Sequence, residues 1–131
     1  NKSLTKTCKK KSICLVQLLS PTTTSNRIKK ILKDSHEMVY YISMLSTTGG
    51  KLKISPKNIM KNYKRIKKIN PSKNLVIGFG ITDKTISSLK KADGLVVGSQ
   101  LCTTISKSIE NRQNPVTMLN KMVIKIKDKI T

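Results

Sequence analysis

LVIGFGI, residues 75–81, contains almost no polar side chain and holds two glycines, Gly78 and Gly80. An alternating pattern marks a strand with one buried face, whereas a nearly continuous apolar run is typical of a strand buried on both faces. Three further runs of this kind occur, ICLVQLL (13–19), MVYYIS (38–43) and GLVVGS (94–99). Together they predict a parallel sheet of four strands.

Segments with helical periodicity follow these runs. We expect Ser25 to cap the first helix, and Ser55, followed by Pro56 at the first helical position, to cap the second. The predicted helices are residues 25–34, 56–69, 83–91, 101–110 and 115–130. Strands that alternate with helices indicate right-handed crossovers and an α/β fold. Four such units make about half of a (β/α)8 barrel, which typically has about 250 residues, or a small open sheet.

The length of 131 residues suits a single domain, 1–131, that is itself part of a larger barrel. Residues 1–11 are expected to be either poorly ordered or the remnant of a preceding helix. A half barrel would leave two open sheet edges, which is a liability for a protein in water. We therefore expect further residues upstream.

The formal net charge of +21 would suit a polyanion partner such as nucleic acid. The basic residues are 24 lysines and only three arginines, and the aromatic residues number four. Proteins that bind nucleic acid use arginine side chains and aromatic rings, which are scarce here. We therefore prefer compositional drift of the coding sequence as the explanation of the charge. A nucleic-acid-binding module is the alternative interpretation. Lysines spread over all outward helix faces would favour drift, and one continuous basic face would favour binding.

The three cysteines, Cys8, Cys14 and Cys102, have neither metal-knuckle nor redox-pair spacing. Cys14 is expected to be a buried apolar filler in a strand. This cysteine usage favours a reduced, intracellular compartment and predicts no metal site. No apolar stretch is long enough to span a membrane, so no membrane partner is expected.

The carboxyl ends of all four predicted strands are rich in Gly, Ser and Thr. These segments are SPTTT (20–24), SMLSTTGG (43–50), GFGITD (78–83) and GSQ (98–100). Ligands of parallel α/β folds bind at this rim, where backbone N–H groups and helix N-termini hold phosphate. Any one of these segments could be an ordinary turn, but their shared position predicts a phosphate site built from backbone and hydroxyl groups.

The same rim lacks acid–base chemistry. Of six carboxylates, Asp34, Glu37 and Asp93 precede strands, and Glu110 and Asp128 lie on helices or the tail. Asp83 is near the rim, but a helix N-terminus accounts for it. His36 also precedes a strand. The chain is therefore expected to hold phosphate without the groups that catalyse a reaction.

From about Ser12 onward, the chain resembles the C-terminal half of the tryptophan synthase alpha subunit family. SPTTTSNRIKKI is similar to its fifth strand end and helix, and VYYISMLSTTGG to its sixth strand and mobile loop. VIGFGITD and ADGLVVGS are similar to its seventh and eighth strands with their phosphate loops. The segment SPTTTSNRI most resembles plastid and cyanobacterial members.

The resemblance implies strands 5–8 of a (β/α)8 barrel in a lyase of tryptophan biosynthesis. The family cleaves indole-3-glycerol phosphate to indole and glyceraldehyde 3-phosphate, without a cofactor of its own. It binds a beta subunit that carries pyridoxal phosphate, in an alpha2beta2 assembly.

The resemblance also implies roles for seven residues. Tyr40 would be an auxiliary active-site tyrosine, Phe79 would lie against the indole ring, and Thr48 would close the sixth loop. The implied phosphate-binding residues are Gly49, Gly80, Gly98 and Ser99. The two catalytic carboxylates have no counterpart here, so the isolated chain is predicted to be inactive.

Two positions depart from the family's sixth loop, since Ser46 replaces a glycine and Thr47 a valine. The departures leave a decaying, non-functional relict as a further alternative.

Overall fold

The computed structural model describes residues 2–43, 54–78, 81–82 and 85–130. Its strands are β1 (Gln17–Leu19), β2 (Met38–Ile42), β3 (Asn74–Gly78) and β4 (Gly94–Val96). Its helices are α1 (Lys2–Lys10), α2 (Ser25–Asp34), α3 (Pro56–Ile69), α4 (Ile86–Leu89), α5 (Ser99–Glu110) and α6 (Pro115–Ile130). Helix α1 occupies most of the segment for which the sequence left two alternatives.

The four strands form one parallel sheet in the order β1-β2-β3-β4, as predicted. One face is packed on helices. Val39, Tyr41, Leu75 and Ile77 are fully buried there, in a single core with apolar side chains of α2, α3 and α4. This core is what holds the strands in register.

The opposite face of the sheet carries exposed apolar side chains. Leu18, Met38 and Val96 are 57%, 39% and 40% exposed. The strand register places them on the same face as Tyr40 and Val76. A small open parallel sheet would carry helices on both faces, whereas a barrel segment carries them on the outside only. The exposed face is therefore the inner face of a barrel.

Helix starts follow the predicted chemistry closely. The Ser55 side chain accepts a hydrogen bond from the Asn58 N–H at 3.3 Å, and Pro56 is the first residue of α3, which confirms both predictions. The prediction for Ser25 was wrong by one residue: Thr24 is the N-cap of α2, and its carbonyl accepts from the Ile28 N–H at 2.9 Å. Adjacent hydroxyl residues offer the same capping chemistry, so the sequence alone does not separate them.

The prediction of a strand from residue 13 was also wrong, because β1 begins only at Gln17. The N–H of Ile13 instead donates to the Cys8 carbonyl at 2.9 Å, in a turn that ends α1 with Ser12 at a positive φ of 53°. Cys14 is consequently exposed, not a buried filler, and its Sγ lies 3.6 Å from Nε2 of His36.

Candidate functional site

At the carboxyl rim of the sheet, the ring of Tyr40 lies across Gly78. Tyr40 pairs with Val76 in the neighbouring strand, on the inner face, and its side chain reaches two residues further along β3. A Cβ atom on Gly78 would overlap the Tyr40 hydroxyl and ring carbons. Glycine at 78 is thus what lets the half-buried ring of Tyr40 lie over this part of the inner face.

Ser43, the first residue after β2, forms hydrogen bonds with the same glycine. Both its backbone N–H and its Oγ donate to the Gly78 carbonyl, at 3.0 and 2.8 Å. The serine is completely buried. It therefore joins the ends of β2 and β3 at the point where both chains leave the sheet.

The N-terminus of α5 forms a second part of this rim. Gly98 is its N-cap and Ser99 its first residue, with the N–H groups of Leu101 and Cys102 donating to the Gly98 carbonyl at 2.9 and 3.2 Å. A Cβ atom on Gly98 would meet no described atom within 4 Å, and its φ of −125° suits any residue. The backbone at Gly98 is therefore open to a ligand that approaches the positive end of a 12-residue helix.

The hydroxyls of the other strand-end segments bond mainly within their own loops. The Thr23 Oγ1 accepts from the Ser20 N–H at 2.9 Å, and the Thr85 Oγ1 accepts from the Thr82 N–H at 3.0 Å. These bonds brace the turn at residues 20–23 and join Thr82 to Thr85. The site residues predicted at Thr48, Gly49, Phe79 and Gly80, together with Asp83, lie outside the described residues.

The carboxylates assigned to the opposite, amino-terminal rim do lie there. Asp93 precedes β4 and its Oδ2 accepts from the Leu75 N–H at 2.7 Å and from Lys67 Nζ at 2.8 Å, while its own N–H donates to the Tyr63 hydroxyl at 3.0 Å. Burial works to raise the pKa of Asp93, but the Leu75 N–H, Lys67 and Tyr63 outweigh it and hold that pKa below its usual value. Burial and the neighbouring Asp93 raise the pKa of Tyr63 to about 12. This cluster stabilises the fold at the rim opposite Gly78 and Gly98.

Two lysines of this rim were missed by sequence reasoning. Lys67 Nζ donates to the carbonyls of Pro71 and Lys73 at 2.8 and 2.9 Å, in addition to Asp93. Lys73 Nζ donates to the carbonyls of Ser35 and His36 at 2.8 and 3.1 Å. Among so many lysines no local signal distinguishes them, because their acceptors are backbone groups brought close only by the fold.

In the part of the chain that the structure describes, further lysines are spread over several helices. A groove of about 690 Å³ between α1 and α2 is lined by Lys6, Lys9, Lys10, Arg27 and Lys30. Helices α3 and α6 carry exposed lysines as well, at positions 57, 61, 64 and 68 and at 121, 125 and 127. This distribution favours compositional drift over a dedicated nucleic-acid surface.

Within residues 2–43, 54–78, 81–82 and 85–130, no three His, Cys, Asp or Glu side chains are grouped so that they could hold a metal ion. The same residues contain no helix that is both long and apolar enough to cross a membrane.

Comparison with known proteins gives consistent results over the whole chain. Residues 1–131 match the family model described as tryptophan synthase alpha chain. The tryptophan synthase alpha chain of Pelagibacter ubique is 65% identical over all 131 residues, which are 49% of that protein. The chain thus spans about half the length of the curated relatives it matches.

Solved structures show the same fold. Tryptophan synthase subunit alpha from Legionella pneumophila superposes with a TM-score of 0.81 at 22% identity, over 98% of this chain and 46% of that one. A tryptophan synthase complex from Pyrococcus furiosus contains a chain that superposes with a TM-score of 0.74 at 27% identity, over 95% and 48%. The prediction of a half (β/α)8 barrel is confirmed. The chain belongs to the tryptophan synthase alpha chain family.

Proposed function

We propose that this chain is the phosphate-binding half of a lyase that cleaves indole-3-glycerol phosphate to indole and glyceraldehyde 3-phosphate, in tryptophan biosynthesis. The observation that carries the proposal is the open backbone of Gly98 at the N-terminus of α5, on the same rim as Tyr40 and Gly78. A phosphate dianion suits this position because unpaired N–H groups and the helix dipole both favour negative charge.

The chain's residues then divide the work of binding. Gly98 and Ser99 hold the phosphate together with Gly49 and Gly80, and Tyr40 and Phe79 lie along the indole end of the substrate. Thr48 closes the sixth loop over it. The proton transfers that break the carbon–carbon bond belong to two carboxylates on the other half of the barrel. The described carboxylates agree with this division, since Asp34, Glu37 and Asp93 lie at the amino rim.

The proposed partner is a tryptophan synthase beta subunit, in an alpha2beta2 assembly. The Pyrococcus furiosus match is to a tryptophan synthase complex, which supports this partnership. Pyridoxal phosphate is assigned to the beta subunit and no cofactor to this one. The three free cysteines suit a reducing compartment, and we propose the cytoplasm or the plastid stroma.

The test is a titration of the full-length protein with glycerol phosphate, followed by amide NMR. We expect shifts at the amides of Gly98, Ser99 and Gly80, and none with glycerol, which lacks the charge that the helix terminus favours. An unchanged spectrum at these amides would show that the phosphate site is wrongly assigned.

Activity provides a second test. The 131-residue chain is expected to release no indole from indole-3-glycerol phosphate, because it lacks the catalytic carboxylates, and measurable release would contradict this division. Growth of a tryptophan auxotroph that carries the full-length gene would exclude the alternative of a non-functional relict.

A further inference from the structure

The contacts of Ser43 point to a role that its position in the sequence does not reveal. It is completely buried at the end of β2, although an exposed polar residue would suffice to begin a loop. Its backbone N–H already continues the ladder to the Gly78 carbonyl at 3.0 Å. The hydroxyl adds a second donor to the same oxygen at 2.8 Å, so the carbonyl is held by one residue through two groups.

The position of Gly78 gives this second bond its importance. Gly78 is the last residue of β3 and pairs with Ile42, the last residue of β2. Its inner side is covered by the ring of Tyr40. The Tyr40 ring and the Ser43 hydroxyl together hold the end of β3 in place against β2. They do so although β3 ends in glycine, which has no side chain of its own to pack.

We infer that Ser43 is a positioning residue for the phosphate site: it fixes Gly78 at the end of β3, and Gly78 pairs with Val96, two residues before Gly98 in the chain. This inference rests on the proposed function. The side chain of Ser43 is completely buried, so it is not placed to touch a substrate. It acts through Gly78 and the paired strand β4, which leads to the start of α5 at Gly98 and Ser99, and small displacements of backbone donors there have large effects on binding.

The test compares two alanine variants of the full-length protein. Ser43→Ala removes the inferred contact. Ser108→Ala is the matched control, because Ser108 is also buried, at 2% exposure, and its Oγ donates to the Thr104 carbonyl at 2.6 Å. Ser108 lies near the C-terminal end of α5, about 13 Å along the helix from Ser99.

We expect both variants to lower the urea midpoint of unfolding to a similar extent. Only Ser43→Ala should raise KM for indole-3-glycerol phosphate and the Kd for glycerol phosphate, by about three- to tenfold, the factor that corresponds to one hydrogen bond. Its kcat should stay within about twofold, because the phosphate is remote from the bond that breaks. Ser43→Cys, which keeps the volume and a weak donor, takes the place of the alanine variant if that variant does not fold.

The two possible failures are distinct. If Ser43→Ala and Ser108→Ala leave KM and Kd equally unchanged while the wild type binds glycerol phosphate, Ser43 is structural only and the inference is wrong. If the wild type neither binds glycerol phosphate nor cleaves indole-3-glycerol phosphate, the proposed function itself is wrong.

Discussion

Tyr40 occupies the space that a side chain at position 78 would need. The two residues are 38 positions apart in the sequence, yet the register of β2 and β3 brings the tyrosine ring directly over the glycine. The volume at this point of the inner face is therefore shared between two strands.

Because the two residues share this space, the effect of a substitution at Gly78 on the free energy of unfolding should depend on whether Tyr40 is present. Gly78→Ala should lower the free energy of unfolding of the full-length protein by about 1–3 kcal/mol, since the new methyl group forces the ring away. In a Tyr40→Ala background the same change should cost less than about 1 kcal/mol. Urea unfolding of the four proteins measures the coupling, and Gly94→Ala, whose Cβ would lie 3.0 Å from Val76, is a milder control. Strictly additive effects would contradict the contact.

Gly98 should behave in the opposite way. Because a Cβ there meets no described atom, Gly98→Ala should lower the free energy of unfolding by no more than about 1 kcal/mol, the cost of alanine at an N-cap. It should nevertheless weaken glycerol phosphate binding by about tenfold or more, because the added methyl group projects where the phosphate approaches the backbone. Calorimetric titration measures this. Unchanged affinity would show that phosphate does not approach Gly98.

The hydrogen bonds of Asp93 lead us to expect that the free energy of unfolding falls at acid pH. Its folded-state pKa is lowered from the ordinary value of 3.8, so its contribution is fully present above that value and is lost as pH falls through the folded pKa. Asp93→Asn should reduce the free energy of unfolding at pH 7 by about 1 kcal/mol. It should also make that free energy depend less on pH in the acid range. Unfolding free energies between pH 7 and about pH 2 are the measurement. Asp34→Asn, at an exposed carboxylate of the same rim, is the matched control.

The two helix caps offer a matched pair. Ser55 accepts a side-chain hydrogen bond from the Asn58 N–H, whereas the Thr24 side chain makes no such cap bond. Ser55→Ala should therefore cost about 1 kcal/mol of unfolding free energy, and Thr24→Ala only a few tenths. Thermal unfolding of both variants checks the order, and a larger loss for Thr24→Ala would reverse it.

The strands and the long helices were predictable because their signals are local. Continuous apolar runs identified β2, β3 and β4, and Pro56 and Pro115 marked the starts of α3 and α6. The run at 13–19 misled because its first residues belong to the turn that ends α1. Helix α4 covers Ile86–Leu89, whereas the prediction was 83–91, and Thr85 just before it bonds to Thr82.

The site was predictable only in outline. Glycines at strand ends indicated a phosphate rim, and Gly98 and Ser99 do lie at one. The roles of Ser43 and Gly78 depend on a register between strands 35 residues apart, which no local pattern encodes. The contacts of Lys67 and Lys73 could not be predicted for the same reason, because their acceptors are brought close only by the fold.

Lys67 and Lys73 therefore have a different evolutionary tolerance from the other lysines. Each Nζ donates to at least two carbonyls at 2.8–3.1 Å, which a compact ammonium with three donors can do and a planar guanidinium cannot match. Drift in base composition can exchange lysine for arginine on the outer faces at little cost. At Lys67 and Lys73 the same exchange would break hydrogen bonds to the backbone. Lysine, the chain's commonest residue, is therefore hard to replace at these two positions.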